Sequence, residues 1–383
     1  MTKKRKEYLN QHHYKIYEGK DKFWYTYLPL ENGGRQKIRR RTEELVQDCV
    51  INFWKEQEEN PTISELFYEW NYTRLERKKI ARSTYDRYNQ VFERHFKQFG
   101  RRRIRNISPE DVEEFLELEL SRLNLTAKAF TNLKGVMIGI LRRAKRRKLI
   151  NFNISNLMDD LEITDRDFKK VIKEDCEEVF SEEETYLIIK YCLDNLDSRN
   201  AGILLMFITG LRVGELVTLK HEDIMEDCIR IRRTETRYSN EDKKNKHIYD
   251  VKEFPKTKAG VRDVAIPRDY QFLLRKLNLL NPFGEFIFVN KKGIRLHTEA
   301  FRRRLYQICD ELKIPRRSPH KIRKTVGTIF MDEKLDNNMI QKQMGWSNIT
   351  VGENHYHRNR KSMDKKVEIV SSIPEFQLVN FGR

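Results

Sequence analysis

Apolar residues recur along this chain mostly at helical spacing, with short alternating runs confined to a few places. Leu45, Cys49 and Phe53 fall every four residues with Val46 and Val50 beside them, which predicts a helix over about 42–56. Leu133, Val136, Met137, Ile140, Leu141 and Ala144 form a longer apolar stripe on a helix that opens at Thr126. Ser108-Pro109-Glu110-Asp111 reads as another helix start, with serine at the N-cap, proline in the first turn and acids beside the positive end of the dipole. Ser181 and Glu184 have the spacing of a capping box. Three β-like runs near the N-terminus break this pattern: Tyr14 to Tyr17, Phe23 to Leu28 and Gln36 to Arg40. Asn32-Gly33-Gly34 between the last two favours a hairpin turn, because Asn and Gly tolerate positive φ.

These elements sort into blocks: 1–58, strands then a helix; 59–158, all helix; 159–178, a polar linker; and 179–383, a larger mixed block. No internal repeat or low-complexity tract is present. The longest apolar run, Gly202 to Leu211, is about half of what a bilayer span needs. Met1-Thr2-Lys3-Lys4-Arg5-Lys6 is charged without an apolar stretch behind it, unlike a secretory signal. Cys49, Cys176, Cys192, Cys228 and Cys309 are scattered and odd in number, which fits a reducing cytosol and no disulfide framework.

Charge changes the picture most. The 76 Lys and Arg against 58 Asp and Glu leave a net +18 over 383 residues, which favours a polyanionic partner over a merely well-solvated surface because the excess is clustered. Residues 1–41 hold 12 Lys/Arg against 4 Asp/Glu, a local +8. Basic and aromatic residues interleave there, and Arg35, Lys37, Arg39 and Arg40 are candidate DNA contacts; the plain alternative is a small sheet whose aromatics are its core. Two further clusters in the helical block are candidates for phosphate contact. One is Arg101, Arg102, Arg103 and Arg105; the other is Arg142, Arg143, Lys145, Arg146, Arg147 and Lys148. The 38% hydrophobic and 11% aromatic content excludes a disordered polybasic chain.

Several chemistries find no signature. There is no phosphate loop and no dinucleotide fingerprint, so neither ATP nor any other cofactor is expected. His355 and His357 flank Tyr356 but do not share a helix face, and no metal site is expected. What the third block does hold is a spaced set. Thr209-Gly210-Leu211-Arg212-Val213-Gly214-Glu215 breaks the apolar run and starts a helix with Arg212 and Glu215 one turn apart. Ser318-Pro319-His320-Lys321-Ile322-Arg323 starts another, placing His320 and Arg323 on one face at its positive end. Phe254 to Arg262 joins two strand-like runs, and a hairpin tip of that type would carry Lys256 towards the same site. Trp346 follows Met344-Gly345, and Tyr356 is the last tyrosine in the chain.

Singly these are weak; in this order they resemble the tyrosine recombinase, or phage-type integrase, family. The N-terminal strand block and the long segment before Lys256 are more similar to integrases of conjugative transposons and integrative elements. The resemblance implies a multidomain α+β fold: a small three-stranded sheet with a helix that binds arm-type DNA, a helical core-binding bundle, and a mostly helical catalytic domain with a small antiparallel sheet. It implies site-specific cutting and rejoining of double-stranded DNA through a 3′-phosphotyrosyl intermediate, for integration or excision of a mobile element in the bacterial cytosol. Arg212, Lys256, His320, Arg323 and Trp346 would be catalytic, Tyr356 the nucleophile and Glu215 a supporting acid. A homotetramer on paired sites and an excision factor are implied partners. Lys258 is a rival for Lys256. A nicking and religating enzyme like a type IB topoisomerase, or a non-catalytic DNA-binding protein that kept the fold, are the alternatives. The segment 234–254 reads either as a long hairpin or as a loop. In the tail 367–383, Ile369, Val370, Ile373, Phe376, Leu378, Val379 and Phe381 need a docking surface, on this chain or a neighbour.

Overall fold

The computed structural model describes residues 3–30, 34–171, 173–240, 247–254 and 258–373. The chain divides into two compact units, 1–171 and 172–383.

In the first unit a short helix, α1 (Lys3–Asn10), precedes three antiparallel strands, β1 (Tyr17–Glu18), β2 (Trp24–Pro29) and β3 (Arg35–Arg40), in the order β1-β2-β3. The expected first strand thus sits later than Tyr14–Tyr17, because only Tyr17 and Glu18 find partners, in Tyr25 and Trp24. The hairpin residues Asn32 and Gly33 lie outside the described residues. Thr42 caps α2 (Glu43–Glu59) by accepting a hydrogen bond from the Leu45 N–H. That helix buries Val46, Val50 and Ile51, while Leu45, placed on the apolar face by the sequence pattern, stays exposed. Strand alternation gives the sheet two faces. Thr26 and Leu28 are buried, whereas the other face stacks Arg35 over Tyr27, Lys37 over Tyr25 and Arg39 over Phe23, at 4.5, 4.3 and 3.6 Å from the ring centroids.

The rest of this unit is helical: α3 (Ile63–Glu76), α4 (Arg82–His95), α5 (Pro109–Leu123), α6 (Ala127–Arg146) and α7 (Ile154–Asp159). Thr62 and Ser108 close capping boxes with Glu65 and Asp111. The predicted stripe from Leu133 to Ala144 is wholly buried, packed with Phe67, Phe92, Phe96 and Phe115 into one core.

The second unit opens with α8 (Asp175–Glu178) and α9 (Glu182–Asp194), the latter capped by the expected Ser181–Glu184 box. The apolar run forms α10 (Ser198–Thr209), buried on every side, and Gly210 ends it at φ +73°. A side chain at Gly210 would be strained at that φ and would press a Cβ to 2.6 Å from the Met344 sulfur. Next come α11 (Val213–Leu216), β4 (Cys228–Ile231), β5 (Thr234–Ser239), β6 (His247–Lys252) and β7 (Arg262–Ala265). Here the sequence reading needs correction. The runs on either side of Phe254–Arg262 do not pair with each other: β7 pairs with β4, and β6 pairs with β5 as a separate inserted ribbon. The 234–254 segment is therefore a hairpin, anchored by buried Glu235, which accepts from the Thr298 N–H at 3.0 Å and pairs with Arg295. The helices α12 (Gln271–Leu279), α13 (Thr298–Glu311), α14 (Pro319–Asp332), α15 (Asn337–Met344), α16 (Ile349–His355) and α17 (Met363–Ser371) complete the unit. Among the described residues no helix is long and apolar enough to cross a membrane.

Candidate active site

Two helix starts and two helix ends bring the predicted residues of the second unit together. Arg212 is the N-cap of α11, and the tight turn after Gly210 aims its side chain back along the helix. Its Nη1 donates to Glu215 Oε1 at 2.7 Å, its backbone N–H to Oε2 at 3.0 Å, and its Nη2 to the Gly345 carbonyl at 3.4 Å. Burial would raise the Glu215 pKa, but Arg262, Arg212 and Arg323 overcome it and hold the carboxyl down to about 2. At pH 7 the site therefore contains a fixed carboxylate among guanidiniums.

Pro319 starts α14, so Ile322, Val326 and the other apolar residues of that helix face the core and draw Arg323 inward with them. Arg323 has no exposed surface; it donates to the Gly210 carbonyl at 2.7 Å and to the Met344 carbonyl. Burial first, then repulsion by Arg212, lowers its pKa to about 10, and it stays a cation at neutral pH. Ser318 takes the N-cap backbone conformation without a side-chain cap bond.

Tyr356 caps the C-terminus of α16 and is 7% exposed. Its ring lies 4.7 Å from the Trp346 ring, 5.8 Å from that of His320 and 5.8 Å from the Arg323 guanidinium carbon. The Thr328 hydroxyl donates to the Tyr356 carbonyl at 2.7 Å. Just beyond, buried Arg360 donates to the Phe180 carbonyl at 3.1 Å and to Thr185 Oγ1 at 3.1 Å, tying the following segment to the start of α9. The His320 imidazole is desolvated on its inner side and faces Lys324, Arg323, Lys321 and Arg212, which together lower its pKa to about 4. Its outer edge is open to solvent, and the imidazole is neutral at pH 7. Two buried donors, Arg323 Nε and Trp346 Nε1, have no partner among the described residues. Unpaired buried donors are uncommon and call for an acceptor. The site thus presents guanidiniums, a neutral imidazole and an indole N–H around a phenol, a donor set suited to an anionic tetrahedral group.

Arg212, Glu215, His320, Arg323, Trp346 and Tyr356 therefore meet. Lys256 lies outside the described residues, as do Phe376, Leu378, Val379 and Phe381. Sequence reasoning passed over Arg262, whose guanidinium is the main partner of Glu215. The only signal was its place at the start of a strand following Gly260-Val261.

The basic clusters of the first unit are unevenly placed. Arg102 pairs with Asp111 at 2.8 Å, Arg103 with Gln57, Arg143 with Glu69, and Arg147 with Glu69 at 3.1 Å. Arg105 Nε donates to the Glu59 carbonyl at 2.8 Å and Lys145 to that of Phe152 at 2.9 Å. Arg101, Arg142, Arg146 and Lys148 are exposed. Arg35, Lys37, Arg39 and Arg40 all lie along β3, the first three on the open face of the sheet.

The sequence profile of the phage integrase family matches residues 178–363. A XerC-like tyrosine recombinase of Caldanaerobacter subterraneus subsp. tengcongensis is 27% identical over 216 residues, 51% of this chain and 54% of that protein. The transposase from transposon Tn916 of Enterococcus faecalis is 25% identical over 282 residues, 68% of this chain and 65% of the relative. The chain thus spans about half of the first of these relatives and just under two thirds of the second. Among solved structures, the Tn1549 transposon integrase (residues 82–397) in complex with circular intermediate DNA superposes with a TM-score of 0.59 at 16% identity, covering 80% of this chain and 99% of that one. A lambda integrase dimer bound to a core site gives 0.55 at 13% identity, covering 91% and 95%. These structural likenesses are statements about the fold.

Proposed function

The chain belongs to the phage integrase family, the tyrosine recombinases, through residues 178–363, and from that premise we propose that it cuts and rejoins double-stranded DNA at specific sites to integrate or excise a mobile element. One observation carries the reading: His320, Arg323 and Trp346 surround the Tyr356 ring, Arg212 lies beside them on the Gly345 carbonyl, and two buried donors are left open.

The chemistry follows from the residue types. The Tyr356 hydroxyl gives up its proton to solvent as its oxygen attacks the phosphorus, the bond to the 5′ oxygen breaks, and a 3′-phosphotyrosyl ester keeps the bond energy for rejoining. Charge gathers on the non-bridging oxygens, where Arg212 and Arg323 supply fixed cations and His320 and Trp346 single donors. Lys256 protonates the departing 5′ oxygen, since an ammonium is a mobile donor. At 7% exposure the Tyr356 ring must shift before it can meet a phosphate. Duplex DNA is the partner, read by the ladder on the first unit's open sheet face and by the cations left exposed in its helical part. A homotetramer on paired sites, an excision factor and a cytosolic setting complete the proposal.

The test is capture. DNA covalently attached to the wild-type chain in cells is sequenced, and a nicked duplex built from the recovered site is offered to wild type and to Tyr356→Phe. Both should bind it, and only wild type should form an adduct, mapped to Tyr356. An adduct that persists in the variant would overturn the assignment.

A further inference from the structure

Arg262 stands outside the set that surrounds Tyr356, yet it is the best-connected cation of the second unit. Its side chain is 5% exposed and that of Glu215 1%. Its Nη1 and Nη2 meet the two oxygens of Glu215 at 3.1 and 2.9 Å, a bidentate pair. The remaining donors are also used: Nε reaches the Gln343 carbonyl at 2.9 Å and Nη1 that of Gly260 at 3.0 Å. Gly345 lies against it, where a Cβ would come to 3.0 Å from its Cδ and Nε.

Electrostatics gives this arrangement a consequence. Glu215 also takes both the guanidinium and the backbone N–H of Arg212. Without another cation, Arg212 and Glu215 would be a neutral pair. The attraction of Arg212 for an anion would then be cancelled at close range, where a buried carboxylate is poorly screened. Arg262 supplies the missing charge. It leaves the Arg212–Glu215–Arg262 trio with one net positive charge and fixes the plane of the carboxylate that orients Arg212. Arg212 is 39% exposed and available to a ligand, whereas Arg262 is shut in.

We propose that Arg262 is a positioning residue for phosphodiester cleavage: by neutralising Glu215 it keeps the charge and the aim of Arg212 free for the scissile phosphate. The inference rests on the recombinase reading above. The plain alternative is a structural tie between β7 and the end of α15, for which Gln343 is already present, donating its Nε2 to the Ala265 carbonyl and accepting from the Ala265 N–H, each at 3.0 Å.

The two roles differ in how they respond to the charge of the substrate. A methylphosphonate linkage replaces one charged non-bridging oxygen by a methyl group, so its cleavage asks less of a cation while using the same nucleophile and the same breaking bond. Wild type, Arg262→Gln, Glu215→Gln and the double variant are compared on nicked duplexes carrying either linkage at the captured site. Arg262→Gln should cut the phosphodiester about 100-fold more slowly but the methylphosphonate only about threefold more slowly, as for loss of an electrostatic donor. In the Glu215→Gln background, where no buried carboxylate needs neutralising, the added Arg262→Gln change should cost less than about threefold, a non-additive coupling. Equal losses on both linkages, or a full additional loss in the double variant, would overturn the proposal and leave a structural tie. Should Arg262→Gln not fold alone, the Glu215→Gln background decides, because two amides can pair there and no buried carboxylate has lost its second cation. If wild type forms no adduct on the phosphodiester, the recombinase reading fails and this inference with it; an active wild type with an unaltered Arg262→Gln overturns this inference alone.

Discussion

At the scale of single residues, the site is organised by which charges are buried and which are matched. Glu215 and Arg323 are enclosed and held by several partners each, whereas His320 is a small ring among cations with one edge in solvent. Its pKa is lowered from 6.5 to about 4, by desolvation and then by Lys324, Arg323, Lys321 and Arg212. The sign has two consequences. The unfolded chain takes up the proton first, so the contribution of His320 to stability is intact above about 6.5 and is lost as the pH falls towards 4. In the free protein the imidazole should therefore titrate well below 6.5 when followed by NMR of labelled histidine. A bound phosphate adds a nearby negative charge, which favours the imidazolium, so the midpoint should rise on the captured DNA site. A midpoint at or above 6.5 without DNA would contradict the packing of cations described here. For Glu215 the sign is the same: its depressed pKa contributes stability above the ordinary carboxyl range, lost as the pH falls towards about 2.

At the scale of elements, helix starts position the chemistry, and the same starts were readable from sequence. Ser108, Thr126 and Ser181 announce helices through local side-chain to backbone bonds, which depend on residues three apart. Arg212, His320 and Arg323 were legible for the same reason, since each lies within a few residues of its helix start. Strand pairing was not legible. That β7 pairs with β4, Arg262 opposite Ile231 from 31 positions away, across an inserted β5–β6 ribbon, is set by tertiary packing that no window of neighbours contains. Arg262 was missed likewise: its partner Glu215 is 47 residues earlier. The proposed nucleophile shows the same division. Tyr356 was identified by order in the chain, but its placement depends on Thr328, 28 positions before it, whose hydroxyl donates to the Tyr356 carbonyl and accepts from the Arg358 N–H at 3.3 Å. Thr328→Val would leave that carbonyl and N–H unpaired in a buried site, at a cost of about 1–3 kcal/mol. The expected outcome is a lower melting temperature and slower adduct formation, with affinity for the nicked duplex unchanged. Unchanged cleavage would show that α14 does not position the Tyr356 backbone.

At the scale of the whole chain, charge is divided unequally, and the division makes a test possible. Residues 1–41 carry +8 of the net +18, leaving +10 for the other 342. The end of α2 is bound into the helical part of the first unit: the Glu58 carbonyl accepts from Arg147 at 3.3 Å and the Asn60 carbonyl from Arg103 at 2.9 Å. Cutting the chain near 58 would break these bonds and confuse loss of DNA contact with loss of packing. Point changes on the open sheet face avoid this, since the side chains of Arg35, Lys37 and Arg39 lean on the half-buried rings of Tyr27, Tyr25 and Phe23, and Arg39 pairs with exposed Asp21 at 3.1 Å. Replacing all three with Gln should cost little stability, as exposed pairs of these kinds contribute about 0.5–1 kcal/mol at most. If the face binds the DNA backbone at sites distinct from the cleavage site, the triple variant should bind those sites weakly. For them its plot of log affinity against log salt should be shallower by about 2–3, near 0.9 per lost phosphate contact. Binding and cleavage of the captured core duplex should be retained, because Arg212, His320, Arg323 and Tyr356 belong to the other unit. The measurement is affinity over a salt series for successive segments of DNA flanking the captured site. Identical slopes for wild type and the triple variant on every segment would mean that the ladder is a folding feature of the sheet and that other cations of the first unit, Arg142 and Arg146 among the exposed ones, carry whatever DNA contact it makes.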